Sequence, residues 1–205
     1  MQNVMERVMQ SGMKKGLVVL VLALAGCSSQ PNAVSNSYLL PINEQAIATQ
    51  TSPEQPLLLV RPVEMAEHLA GTGLVYQTSD TEVVQAQQNL WAEGLSAQLT
   101  RKITDDLRHK QSLYWPTELT PALSLNGLPR LQVKFNQFNG HFSGNVRVSG
   151  EWLLFGGKGK LQGVHPFQFQ VPQSKDGYSA QVTALSEGVS RLTAQIAERL
   201  AVLPN

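Results

Sequence analysis

Val182, Leu185, Val189, Leu192, Ile196, Leu200 and Leu203 recur at steps of three and four near the end of the chain. On a helix of about 3.6 residues per turn they fall into one apolar stripe, and Pro204 follows its end. A stripe of this length is stable only against a matching apolar surface, so the rest of the chain must supply a sheet or further helices to cover it.

A second stripe comes earlier. Trp91, Leu95, Leu99, Ile103 and Leu107 recur every four residues, with Asn89 placed to cap the start. Gly94 falls inside this predicted helix, where it costs roughly 1 kcal/mol relative to alanine, and it is read as a point of close packing on a sheet.

Strand patterns fill the intervals. Tyr38-Leu39-Leu40-Pro41 reads as a short strand closed by proline, and Ile42 to Pro56 as a polar loop. Leu57-Leu58-Leu59-Val60 is a continuous apolar run, as expected of a strand buried on both faces. Glu64 to Leu69 is read as one helical turn. Leu74 to Gln77 and Thr81 to Ala86 flank Thr78-Ser79-Asp80 as a hairpin. Leu131 to Phe135 alternates apolar and polar residues, Asn139-Gly140 marks a turn, and Val146 to Val148 leads into Glu151 to Phe155. After the turn at Gly156 to Gly159, Phe167 to Val171 alternates again, which predicts an antiparallel meander. The fold class is therefore α/β: a mixed sheet of about six or seven strands packed with two long helices.

The N-terminal region follows a different logic. Lys14-Lys15 precede the apolar run Leu17 to Leu24, which ends in Ala25-Gly26 and the single cysteine, Cys27. A positive start, a short apolar run and small residues before a cut describe an export signal. Eight apolar residues fall far short of the roughly 20 needed to span a bilayer. Leu24-Ala25-Gly26-Cys27 also has the form of a bacterial lipobox, in which cleavage leaves the cysteine as the new N-terminus and its thiol carries diacylglycerol. Each buried methylene contributes roughly 0.8 kcal/mol, so two or three acyl chains hold a protein firmly on a membrane. Ser28 stands where aspartate typically directs inner-membrane retention, and so points to the outer membrane.

These patterns divide the chain into a signal peptide over residues 1–26, with translation read as starting at Met13. A lipidated N-terminus and tether follow over 27–37, and one domain over 38–205. The ten residues Ser28 to Ser37 reach at most about 35 Å when fully extended.

Composition excludes more than it assigns. A formal net charge of +1 gives no basic excess for nucleic acid. One cysteine rules out an intrachain disulfide and a multi-thiolate zinc site. His68, His109, His141 and His165 form no H-x-x-x-H pair, so no metal and no cofactor is expected. Gly140-His141-Phe142-Ser143-Gly144 places serine fourth between two strands, which fits a hairpin tip and not the elbow of G-x-S-x-G. Gly156-Gly157-Lys158-Gly159-Lys160 is followed by Leu161 and a strand, so it is a turn and not a phosphate loop. Trp91 and Trp152 are read as core residues. Glu93 and Glu151 show no sequence partner, and no catalytic set assembles. Residues 42–118 hold ten acids against five bases, whereas 119–175 hold six bases against Glu151 alone. If these segments formed opposite faces, they would support self-association or docking on an acidic partner.

Beyond these motifs the chain resembles the ABC-type transport auxiliary lipoprotein family. The resemblance is carried by the lipobox at Cys27, by Tyr38-Leu39-Leu40-Pro41, and by His68-Leu69-Ala70-Gly71-Thr72-Gly73-Leu74-Val75-Tyr76-Gln77-Thr78-Ser79-Asp80. It continues through Asn89-Leu90-Trp91-Ala92, Phe138-Asn139-Gly140, Val148-Ser149-Gly150-Glu151-Trp152-Leu153-Leu154 and Asp176-Gly177-Tyr178. Ile42 to Pro56 and Lys110 to Gly127 match least. The resemblance implies an outer-membrane lipoprotein acting with a PqiB-like protein, whose MCE domains form a periplasm-spanning tube, and with a PqiA-like inner-membrane protein. It implies a ring-shaped homo-oligomer docked at the tube's far end, in a system moving phospholipid-like molecules between membranes. The expected role is a non-enzymatic adaptor. The alternatives are a lipid-binding shuttle with its own cavity and, third, an envelope hydrolase.

Overall fold

The computed structural model describes residues 34–42, 48–121, 123 and 127–202. Among the described residues nine strands form one mixed sheet. They are β1 (Asn36–Tyr38), β2 (Leu57–Val60), β3 (Glu64–Met65), β4 (Gly73–Gln77), β5 (Val83–Trp91), β6 (Trp115–Glu118), β7 (Arg130–His141), β8 (Asn145–Phe155) and β9 (Leu161–Pro172). The helices are α1 (Leu95–Lys110) and α2 (Tyr178–Ala201).

The sheet is organised about β7. On one side the expected antiparallel meander β7-β8-β9 is present. On the other, β2, β3 and β4 lie in succession along the same strand, all parallel to it. They amount to one interrupted strand. The first interruption holds Pro62, which cannot donate to a ladder, and its backbone groups bond elsewhere. Val63 N donates to Thr100 Oγ1 at 3.0 Å, Ser96 Oγ donates to Val63 O at 2.6 Å, and Gln132 Nε2 donates to Pro62 O at 3.0 Å. The second interruption loops out through a single 3-10 turn at Glu67–Leu69. At one end β4 continues into the hairpin partner β5, which pairs with β1; at the other, β2 pairs with β6.

One apolar layer joins the sheet to the helices. Leu185, Val189, Leu192 and Ile196 of α2 are fully buried, as are Leu99, Ile103 and Leu107 of α1. They meet Phe135, Phe138, Val148 and Trp152 in a single cluster. Phe135 stands edge-on to Phe138 and to Phe167, each at 5.4 Å between ring centroids, the preferred aromatic geometry. Gly188 is where α2 comes down onto β8: a Cβ there would sit 2.5 Å from Val148 Cγ2. Gly150 opposes the bulge in β7, and a side chain would collide with Lys134 O.

Several expectations change. Asn139-Gly140 is not a turn; both lie inside β7, and the reversal falls at Phe142 to Gly144. Trp91 closes β5 instead of opening a helix. α1 begins four residues later with Gly94 as its N-cap, so no interior-glycine cost applies, and a Cβ at Gly94 would touch nothing within 4 Å. Glu64 to Leu69 divides into a two-residue strand and the 3-10 turn. The first strand is Asn36–Tyr38, two residues earlier than read, which takes Asn36 and Ser37 out of the tether. β3 and β6 add to the expected six or seven strands. Leu203 and Pro204 lie outside the described residues.

Candidate functional site

Cys27, the expected signal peptide and most of the expected tether lie outside the described residues. What is described is how the segment after the tether is fastened. Tyr38 OH donates to Asn89 Oδ1 at 3.0 Å, Leu40 N to Gln98 Oε1 at 2.8 Å, and Ser186 Oγ to Pro41 O at 3.3 Å. β5, α1 and α2 each hold this segment, so a pull on the N-terminus is taken up by the core and not by a loose end.

The structure brings His141 and Ser143 together: Ser143 Oγ lies 2.7 Å from His141 Nδ1. The contact is local to the hairpin tip. Ser143 N also donates to the same ring nitrogen at 3.1 Å, which makes Nδ1 the acceptor and leaves the proton on Nε2. Among the described residues Nε2 is buried with no partner, so none of their carboxylates orients the ring as a triad requires. The nearby backbone donors are spent, Phe142 N on Gln77 O and Gly144 N on His141 O, so neither is free to hold an oxyanion. Burial, with Arg147 nearby, lowers the pKa of His141 and keeps it neutral, against a smaller opposing effect of Asp80. The pair fastens a turn in which Gly144 takes positive φ.

The other singled-out residues fall into structural places. Trp152 is fully buried and stacks on His165 at 4.0 Å, and Trp91 packs 6.2 Å from Phe138. Glu93 and Glu151 do have partners: Arg101 at 2.9 Å, and Lys134 at 3.9 Å. Gly156 to Lys160 is the β8-β9 turn. The acidic and basic segments do not form opposite faces. β7 of the basic segment pairs along one side with β2, β3 and β4 of the acidic one, and Lys134 pairs with Glu64 at 3.6 Å.

Among the described residues β1, β3, β6 and β9 each pair on one side only, and β5 is covered by β1 only at its end. β6 carries Pro116 and β9 carries Pro166 and Pro172, which blunt strand addition. β5 pairs with β1 only over Asn89 to Trp91, so its outer edge from Val83 to Gln88 is open, with Val83 and Val84 exposed. Proline-free and carrying two exposed valines, this edge is suited to pairing with another chain.

The seam between α1 and α2 was missed by sequence reasoning altogether. Lys102 and Asp106 are buried at 6% and 3% exposure, and Lys110 joins them. Lys102 Nζ lies 3.4 Å from Asp106 Oδ1, and Lys110 Nζ 3.6 Å from Oδ2. Lys110 also donates to Ser190 O, Ser190 Oγ and Thr193 Oγ1 at 2.6, 2.9 and 2.7 Å, and Thr193 Oγ1 donates to Asp106 Oδ2 at 3.0 Å. Burial lowers the pKa of Lys110 despite Asp106, and Lys102 adds to the lowering. The i, i+4, i+8 spacing of Lys102, Asp106 and Lys110 was legible, but such a row is ordinarily a solvated helix face.

Among the described residues no helix is long and apolar enough to cross a membrane, and no group of three or more potential metal ligands occurs. A family model for the ABC-type transport auxiliary lipoprotein component matches residues 38–197. The intermembrane transport lipoprotein PqiC of Escherichia coli is 39% identical over 193 residues, covering 94% of this chain and all of that protein. A crystal structure of an uncharacterized protein aligns with TM-score 0.69 at 34% identity, over 82% of this chain and 99% of the other. One from Xanthomonas campestris aligns with TM-score 0.65 at 12% identity, over 81% and 94%, and shares the fold. With the sheet, both helices and nearly the whole length accounted for, the chain belongs to the ABC-type transport auxiliary lipoprotein family.

Proposed function

We propose that this protein is an outer-membrane-anchored, non-enzymatic adaptor of a Pqi-type MCE system for intermembrane lipid transport. The observation that carries this reading is full-length similarity to an intermembrane transport lipoprotein, which spans 94% of the chain. Cys27 is the lipidated residue, Ser28 directs the protein to the outer membrane, and the folded unit hangs below it on a short tether. The PqiB-like MCE protein is the direct partner, the PqiA-like protein belongs to the same system, and copies of this chain assemble as a ring. The open edge of β5 offers a route for strand pairing with a partner.

The core supports an adaptor over a shuttle. Trp152, Phe135 and Phe138 are fully buried where helices meet sheet, so side chains fill that layer among the described residues. A hydrolase is disfavoured by the spent donors around Ser143. Ser143→Ala should leave envelope function intact.

The test uses the full-length lipoprotein. It should co-purify with the PqiB-like protein, and failure to do so at near-physiological concentration would sink the adaptor reading. Cys27→Ala should yield an unlipidated protein that leaves the outer-membrane fraction and no longer complements a deletion. A mutant that still fractionates there and complements would refute the anchor.

A further inference from the structure

The polar seam between α1 and α2 opens into a cavity of about 310 Å³, lined by Pro41, Lys102, Asp106, Lys110, Ser186 and Ser190 among others. That volume lies at the lower end of small-molecule sites, enough for a headgroup and too small for acyl chains as well. Its charge does not balance. Two ammonium groups share the buried carboxylate of Asp106, and the other acid on the lining, Glu187, acts on Lys110 but is itself paired with the further cation Arg191 at 3.1 Å.

The donors are unevenly used. Lys110 spends its three N–H bonds on Ser190 and Thr193. Among the described residues Lys102 reaches only Asp106, at 3.4 Å, so two of its three N–H bonds have no acceptor there, although its side chain is more than nine-tenths buried. Ser190 Oγ accepts from Lys110 and so keeps its own proton for another acceptor. A buried cation with unmet donors is costly unless something satisfies it.

We propose that this cavity binds a phosphate group, with Lys102 as the charged donor and Ser190 as a second. Surplus positive charge calls for an anion, and three free O–H and N–H donors suit a tetrahedral oxyanion better than the two oxygens of a carboxylate. Inorganic phosphate and a phospholipid headgroup share this chemistry. The inference stands on the cavity alone; an adaptor that binds its MCE partner but no phosphate defeats it without touching the proposed function.

The experiment titrates the full-length protein, in a phosphate-free detergent, with inorganic phosphate and separately with dihexanoylphosphatidylglycerol, followed by calorimetry. Saturable binding of about one ligand per chain is expected, weakened at least tenfold by Lys102→Met and unchanged by Lys134→Met on the far face of the sheet. Asp106→Asn, which keeps both lysines and removes the competing carboxylate, should tighten binding. Tighter binding of the lipid than of phosphate assigns the headgroup, and equal binding assigns the free anion; either upholds the site. No saturable binding of either ligand, equal displacement by acetate, or equal loss in Lys134→Met overturns it. If Lys102→Met does not fold, Asp106→Asn decides, and unchanged affinity there overturns the proposal.

Discussion

α2 makes two seams of opposite character. Against the sheet it is dry: Leu185, Val189, Leu192 and Ile196 are fully buried, and Gly188 brings the backbone down on Val148. Against α1 it is polar, with Lys110, Thr193, Ser190 and Asp106 bonded across the gap. Burial of apolar area stabilises in proportion to area, at roughly 25 cal/mol per Å². A buried ion cluster gains little net, because desolvation offsets attraction. The dry seam therefore holds the fold, and the polar seam is retained at a cost that stability does not explain.

The sharpest way to break this contrast is to make both seams apolar or hollow. Trp152→Ala should lower unfolding free energy by about 3–5 kcal/mol, the usual range for emptying a large buried aromatic site. Replacing the cluster together, Lys102→Met with Asp106→Leu and Lys110→Met, should be neutral or stabilising by about 1–4 kcal/mol. Urea midpoints measure both, and a triple variant as damaged as Trp152→Ala would erase the distinction.

A smaller effect is expected at the helix–sheet contact. Gly188→Val places a Cβ against Val148, a branched strand residue with little room to yield, and should cost about 1–3 kcal/mol. A change within error would mean that α2 can lift from β8.

Acid should act on the sheet more than on the helix seam. Burial lowers the pKa of His141 and of His165, with Arg147 and Arg199 adding to it respectively. Both are therefore neutral when folded and bind protons more readily when unfolded. Their contribution is complete above about pH 6.5, the ordinary histidine value, and declines as pH falls below it toward the folded pKa. Urea midpoints at pH 5.5 should lie below those at pH 7.5, and His165→Gln should reduce the difference.

The least effect belongs to the solvent side of α2. Glu187 and Arg191 form an i, i+4 pair in which both side chains are about half exposed. Arg191→Ala should change stability by about 0.5 kcal/mol or less. A larger loss would show that the rim of the polar seam contributes to the fold.

Much of this was legible. The C-terminal stripe, the second stripe from Leu95 onward, the β4-β5 hairpin and the β7-β8-β9 meander follow from periodicity, because side chains on one face of a helix or sheet must be apolar together. Boundaries were less legible. Trp91 fits a four-residue step as well as it ends a strand, and Asn139-Gly140 has turn composition within a strand that its neighbours hold extended on both sides. Short strands such as β3 were invisible, since two residues carry no period.

The sequence by itself determined the class of fold and the family, because these depend on local pattern and on the order of blocks along the chain. Only the tertiary structure decided that β2, β3 and β4 share one neighbour, that His141 and Ser143 fasten a turn, and that Lys102 is buried beside a cavity. Those facts join residues far apart in sequence or depend on what covers them. A charge on a helix looks the same in sequence whether water or another helix lies against it.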